Sequence, residues 1–272
     1  MPTRNVTRSI QLHPLTHNWA NRVRLQSGTV PDHKLSAIDQ FVRGLSNLGL
    51  YSDNASSKIQ YLLIFSATSD FAGCNVPLID ISRVGNATLS NYSASSWSDS
   101  GLIGNASTAF VNTKWKPSLS PVLTAGNGHI LVWKTVKNAT TGVSGASEGN
   151  AEWLLGGVPG SFMLILHGAS TTTTGGVALS ESFDTAACHL SSRVDTSITY
   201  RRDGLLQNTI SVSGVGFMCN VPFYLHAMND NTLTAQFNSD RIFCNSLGDG
   251  LSANQCGEYF NVLALLKNRL GA

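Results

Sequence analysis

The sequence predicts an all-β chain folded as a two-sheet antiparallel β-sandwich, with one helix ahead of it and one packing helix at its end. Three observations predict this. Charged residues make up only 12% of the 272, about half the usual share. Ser, Thr, Asn and Gly take their place, as on strands with neutral polar faces and many turns. From residue 60 or so, short apolar segments are separated by Gly/Ser/Asn/Asp clusters with no helical pattern between them, which favours a sandwich over a parallel α/β sheet. Helical periodicity is confined to two stretches, one near each end.

Taken in order, residues 1–32 read as a basic arm. Arg4, Arg8, Arg22 and Arg24 fall there, residues 1–31 hold no acid, and Pro14 and Pro31 read as breakers. Such an arm is either a solvated segment or one that docks on an acidic partner surface. Nucleic acid fits less well, because the arginines are spread out and only Trp19 is interleaved. Residues 33–58 form a helical lead-in. Leu35, Ile38, Phe41, Val42, Leu45 and Leu48 recur three or four apart, one apolar stripe on a helix. Asp32 fits its N-cap and Gly49 its stop. "SSKIQYLLIFSA" suits helix or strand equally.

The sandwich is expected over 59–272. "STAFVNTKW" and "GHILVWKTV" alternate, while "SFMLILHGA" reads as a strand buried on both faces. Asp203-Gly204 between two strand-like runs predicts a tight hairpin, since that turn needs positive φ. "VPFYLHAMN" and "RIFCNSLG" supply further strands. The terminal helix, 252–270, carries an S-x-x-Q capping box at Ser252 and Gln255. A wide stripe from Tyr259 to Leu270 follows, with Lys267 and Arg269 in the last turn and Gly271 as the stop.

The five cysteines, Cys74, Cys188, Cys219, Cys244 and Cys256, have no CxxC spacing. They read as buried thiols of a reducing compartment, with one bridge left open. A net charge of +2 gives no general pull toward nucleic acid or anionic membrane. No apolar run reaches signal-peptide or membrane-span length. The six N-x-S/T triplets are explained by composition.

Three stretches resemble a family: "AIDQFVRGLSNLGLYSDNASSKIQYLLIF", "SGLIGNASTAFVNTKWKPS" and "PFYLHAMND…SDRIFCNSLGDGLSANQCGEYFNVLALLKNRLG". Over residues 35–272 the chain is similar to the concanavalin A/laminin-G-like, lectin-like jelly-roll proteins of bacteriophages. The resemblance implies a concanavalin A-like sandwich in a virion component, a decoration or tail adhesin. Such a protein would assemble in the bacterial host cytoplasm as a homo-oligomer beside other capsid or tail proteins, with a host-surface glycan as candidate ligand. It implies no cofactor and no fixed ligand site. A free-standing carbohydrate-binding module and a glycan hydrolase stay open as alternatives.

Catalytic patterns are sparse. A glycosidase needs two facing carboxylates. Glu148 and Glu152 are four apart and Glu181 and Asp184 three apart, and neither is the E-x-D pattern that sets a facing pair on one strand as a glycosidase requires. No G-x-S-x-G elbow and no H-E-x-x-H occur, so the chain reads as non-enzymatic. His129, His167 and His226 read as sandwich histidines. Asp230, between Asn229 and Asn231, is the best single calcium candidate, against the alternative of an Asx turn. For stacking on sugar, Trp97 in the polar loop "SASSWSDSG" and nearby Tyr92 are the candidates, while Trp115, Trp133 and Trp153 read as core.

Overall fold

Two prolines begin helices instead of breaking them. The computed structural model describes residues 11–120, 123–124, 126–138, 142–148, 151–158, 162–167, 177–179, 185–212, 218–231 and 233–272. In it Pro14 opens α1 (Pro14–Leu25) at its first turn, where its missing N–H costs nothing. Pro31 caps α2 (Asp32–Asn47). Asp32 is therefore the first helical residue and not the cap, and its charge still suits the positive helix end. The reading of 1–32 as one free arm is corrected from Pro14 on, because Trp19, Ala20 and Val23 of α1 are wholly buried. A buried large apolar side chain stabilises by about 1.5–3 kcal/mol, which helps to hold α1 on the core. Arg4 and Arg8 lie outside the described residues.

The strands begin with β1 (Ile59–Ile64), β2 (Ile79–Asp80), β3 (Thr88–Ser90), β4 (Trp97–Ser98), β5 (Gly101–Ile103) and β6 (Phe110–Asn112). Next come β7 (Asn127–Val136), β8 (Gly142–Glu148), β9 (Ala151–Val158), β10 (Phe162–His167), β11 (Val177–Leu179) and β12 (Cys188–Val194). The series ends with β13 (Ser197–Arg202), β14 (Leu205–Ser211), β15 (Tyr224–Leu225), β16 (Met228–Asp230), β17 (Leu233–Ala235) and β18 (Arg241–Gly248), before α3 (Ala253–Leu270). They form two sheets. The first runs β14-β13-β12-β7-β18-β1-β2, with β5 and β4 added on β18. The second runs β11-β10-β9-β8-β15-β6-β3, with β16 and β17 added on β8.

The expectation of a purely antiparallel sandwich needs one correction. β16 runs parallel to β8, Met228 to Asp230 matching Gly145 to Ser147. The chain reverses between β15, which pairs antiparallel with Gly145, and β16, and His226 in this turn has a φ of 62°. The expected Asp203-Gly204 hairpin is present, with φ of 49° and 78° between β13 and β14. The ambiguous "IQYLLI" run is β1, buried throughout. β10, within the run expected to be buried on both faces, lies one strand in from its sheet's edge; its side chains are outside the described residues.

There are two cores. Between the sheets pack Tyr61, Leu63, Val111, Trp115, Ile130, Val132, Trp153, Leu155, Phe223 and Leu225. On the other face of the first sheet, Leu62, Ile64, Leu131, Trp133, Leu190 and Phe243 pack against α1, α2 and α3. The order of layers is therefore helices, first sheet, second sheet. The helical layer explains the apolar runs in β1, β7 and β18, since a strand covered on both faces cannot alternate. α3 sits on this layer through Phe260, stacked 5.7 Å from Trp133, and Tyr259, edge-on to His129 at 6.2 Å. Its capping box and left-handed Gly271 are as the sequence predicts. All five cysteines are buried free thiols, and burial pushes Cys74 and Cys219 up to about 12.

Candidate functional site

The aromatic pair chosen from the sequence is engaged inside the fold. The Trp97 indole N–H donates to the Phe65 carbonyl at 2.7 Å, and the Lys34 ammonium lies 5.9 Å from its ring centre. Lys34, buried on α2, also donates to the carbonyls of Ser66 (3.0 Å) and Thr68 (2.8 Å) and pairs with Asp99 at 2.6 Å. This group fastens the 93–99 loop to α2. Tyr92 shares a 2.5 Å hydrogen bond with Nδ1 of His226, a fully buried ring whose pKa burial lowers to about 4. Both aromatics are half-buried against the inter-sheet core.

The arginines of the second half of the former arm are similarly placed. Arg22 donates to the Pro77 carbonyl at 2.6 Å, and Arg24 to Asn21 at 2.8 Å on the surface. A cleft of about 690 Å³ opens between α1 and β2, lined among others by Asn18, Arg22, Tyr51, Asp53 and Asp80. Its strongest polar groups are occupied: Asp80 accepts from the amides of Val84 and Gly85.

The outer face of the second sheet is different. Val111 and Leu225 point into the core at 0% exposure, so alternation turns Phe110, Asn112 and Tyr224 outward. Tyr224 pairs with Asn112, and Phe110 lies diagonally across from it. The two rings stack with centres 4.7 Å apart and planes at 23°. Phe237 approaches Phe110 at 6.5 Å. All three rings are partly exposed, in the same range as Trp97 and Tyr92. The same row continues through Gly145 and Leu154. A Cβ at Gly145 would fall 2.2 Å from Leu154 Cδ2, so the absent side chain leaves room for Leu154, which is buried.

Two residues along, Ser147 of β8 stands between Glu152 of β9 and Asp230 of β16. Burial and the charge of Asp230 raise the Glu152 carboxyl above its ordinary range, while Ser147 lowers it in part. One Glu152 oxygen is buried without a hydrogen-bond partner. Glu148 belongs to the opposite face by alternation and accepts from the Asn220 amide at 2.6 Å. Asp230 is exposed, and among the described residues no three His, Cys, Asp or Glu side chains converge as on a metal. Glu181 and Asp184 lie outside the described residues.

Sequence reasoning passed over Phe110 and Tyr224. The signal was available: in "FVN" and "FYL" a polar or aromatic residue alternates with residues fit for a core, so Tyr224 faces away from Phe223 and Leu225.

No family model matches the sequence, and no curated protein matches it. Among solved structures the chain is similar to domain 4 of AbnA, an extracellular arabinanase from Geobacillus stearothermophilus solved with arabinotriose. The identity is 12% and the TM-score 0.47, over 74% of this chain and 98% of that domain. It is also similar to Trypanosoma rangeli sialidase, at 12% identity and a TM-score of 0.48. There the match covers 85% of this chain but only 40% of the sialidase. At this distance no residue of either protein carries over. The chain is a mostly β, two-sheet sandwich with helices at its ends, and no helix in the described residues is long and apolar enough to cross a membrane.

Proposed function

We propose that this chain is a non-enzymatic bacteriophage virion protein with a concanavalin A-like sandwich. In this reading it is displayed on the capsid or tail among other virion proteins and holds a host-surface glycan on the outer face of its second sheet. The observation that carries the glycan reading is the stacked Phe110–Tyr224 pair. Partly exposed, mutually stacked rings on a sheet face, beside a neutral amide at Asn112, suit the apolar face of a sugar ring and its hydroxyls better than they suit a charged ligand. The virion context rests on the sequence resemblance. Trp97 and Tyr92 contribute to this reading only by holding loops in place.

A glycan array probed with the chain and with Tyr224→Ala tests it. Binding that Tyr224→Ala abolishes and Trp97→Phe keeps is expected; an empty array, or binding indifferent to Tyr224, refutes the glycan reading. Mass spectrometry of purified particles tests the virion reading, which fails if the chain is absent from them. One observation favours hydrolysis as a second reading: Glu152 and Asp230 stand on either side of Ser147 on one sheet face, and burial and the Asp230 charge raise the Glu152 carboxyl, as for the acid of a carboxylate pair. Polysaccharide cleavage lost on Glu152→Gln would establish it in place of the first.

A further inference from the structure

Two charges of opposite sign are sealed inside the molecule. In the ion pairs Lys34–Asp99, Arg43–Asp39 and Lys58–Asp249 at least one partner reaches solvent. Lys134 and Asp240 do not: their side chains are 4% and 2% exposed, with Nζ 2.6 Å from Oδ2. Their backbones are fixed as well. Lys134 lies in β7, and its amide donates to the Ala187 carbonyl at 2.9 Å. Asp240 directly precedes β18, which pairs with β7. Its amide donates to Oδ1 of Asn238 at 3.2 Å, and its carbonyl accepts from the Gly104 amide at 3.2 Å.

Burial changes the chemistry open to such a pair. In water both groups ionise, so the ammonium has no lone pair and the carboxylate repels a nucleophile. In a low-dielectric interior the two charges are costly. One proton moved along the short contact, from Nζ to Oδ2, leaves a neutral amine beside a neutral acid, which are the reactive forms. Partners held in contact react as if at effective concentrations of about 10⁵–10⁸ M. The carboxyl is also oriented for reaction. Oδ2 faces the amine, while Oδ1 accepts from the Asn138 amide at 3.0 Å, a donor placed to stabilise negative charge on that oxygen. His189 and His226 are both fully buried, and the charges of Lys134 and Asp240 act on both rings. A neutral imidazole takes a proton at one nitrogen and gives one from the other.

We propose that Lys134 and Asp240 become joined, Nζ to Cγ, by a side-chain amide bond that forms once the chain has folded. Nζ attacks Cγ, the negative charge of the tetrahedral intermediate rests on Oδ1 against the Asn138 amide, and the bond from Cγ to Oδ2 breaks. Of the three protons on the original ammonium, one stays on the new amide nitrogen and two leave with Oδ2 as water. Nothing is oxidised or reduced, and no co-reactant is needed. The product ties β7 to the head of β18 and leaves neither buried charge behind.

Mass spectrometry of the full chain, folded and kept for a week at neutral pH and then denatured, tests this. The chain is expected to be lighter than its sequence by the mass of one water. A tryptic digest is expected to contain a branched peptide that joins the Lys134 and Asp240 segments. Lys134→Met is expected to keep the full mass of its own sequence. The unmodified chain decides the matter whether or not this variant folds. A folded chain at full mass, a loss of water mapped to other residues, or a loss that persists in Lys134→Met would each overturn the proposal.

Discussion

Lowering the pH from neutral to about 5 should remove a large part of this protein's stability, and three histidines set the size of the loss. His129, His189 and His226 are all fully buried. His129 lies within 2.7 Å of the Asp249 carbonyl oxygen and 2.9 Å of the Ser246 hydroxyl. His189 bonds Tyr200 at 2.8 Å, and His226 bonds Tyr92. Burial is the main cause that lowers their pKa values, to about 4, about 3 and about 4, from 6.5. The folded state thus resists protons that the unfolded chain accepts below 6.5. The stability is fully present above that pH and is lost as the pH falls toward 4. At about pH 5 each ring costs about 2 kcal/mol, together about 6 kcal/mol, against a total of about 5–15 kcal/mol for a domain. Asp39, whose carboxyl is lowered by Arg43 and the His13 amide against the opposing effect of burial, adds its own loss only at more acid pH. Urea unfolding followed by tryptophan fluorescence at neutral pH and near pH 5 measures the change. A midpoint that does not move between them would refute the reasoning.

Three further outcomes are expected. Lys34→Ala leaves two buried carbonyls and the covered face of Trp97 without their cation, and should cost about 3 kcal/mol in urea unfolding. Gly145→Ala forces a methyl to within 2.2 Å of Leu154 and 2.7 Å of the Trp153 carbonyl, and should cost about 1–3 kcal/mol, read as a lower melting temperature. Trp19→Ala should cost about 3–5 kcal/mol in the same melt if α1 belongs to the core, and close to nothing if it were a loose arm.

Much of the architecture was legible where one local rule sufficed. Ser252, Gln255 and Gly271 marked the ends of α3, and Asp203-Gly204 marked its hairpin, because caps and tight turns are decided by neighbouring residues. The role of Trp97 was not legible. A tryptophan in a run of serines looks exposed, and only the long-range approach of Lys34 and the Phe65 carbonyl engages it. The parallel strand β16 was hidden for a similar reason: it follows a turn with a left-handed His226, and no glycine there announces positive φ. Pro14 and Pro31 were misread as breakers because a proline that ends one element and a proline that begins another look the same without the apolar stripe behind it. In α1 that stripe is thin, resting on Trp19, Ala20 and Val23.

The layer order also decides how the molecule can be handled. α1 and α3 both lie in the helical layer, so the described chain enters and leaves on one side of the sandwich, and the Phe110–Tyr224 face looks the other way. A surface coupled through Ala272 would therefore present that face outward in a uniform orientation. Any interaction confined to it should survive such immobilisation undiminished, whereas one seated near α1 should be blocked.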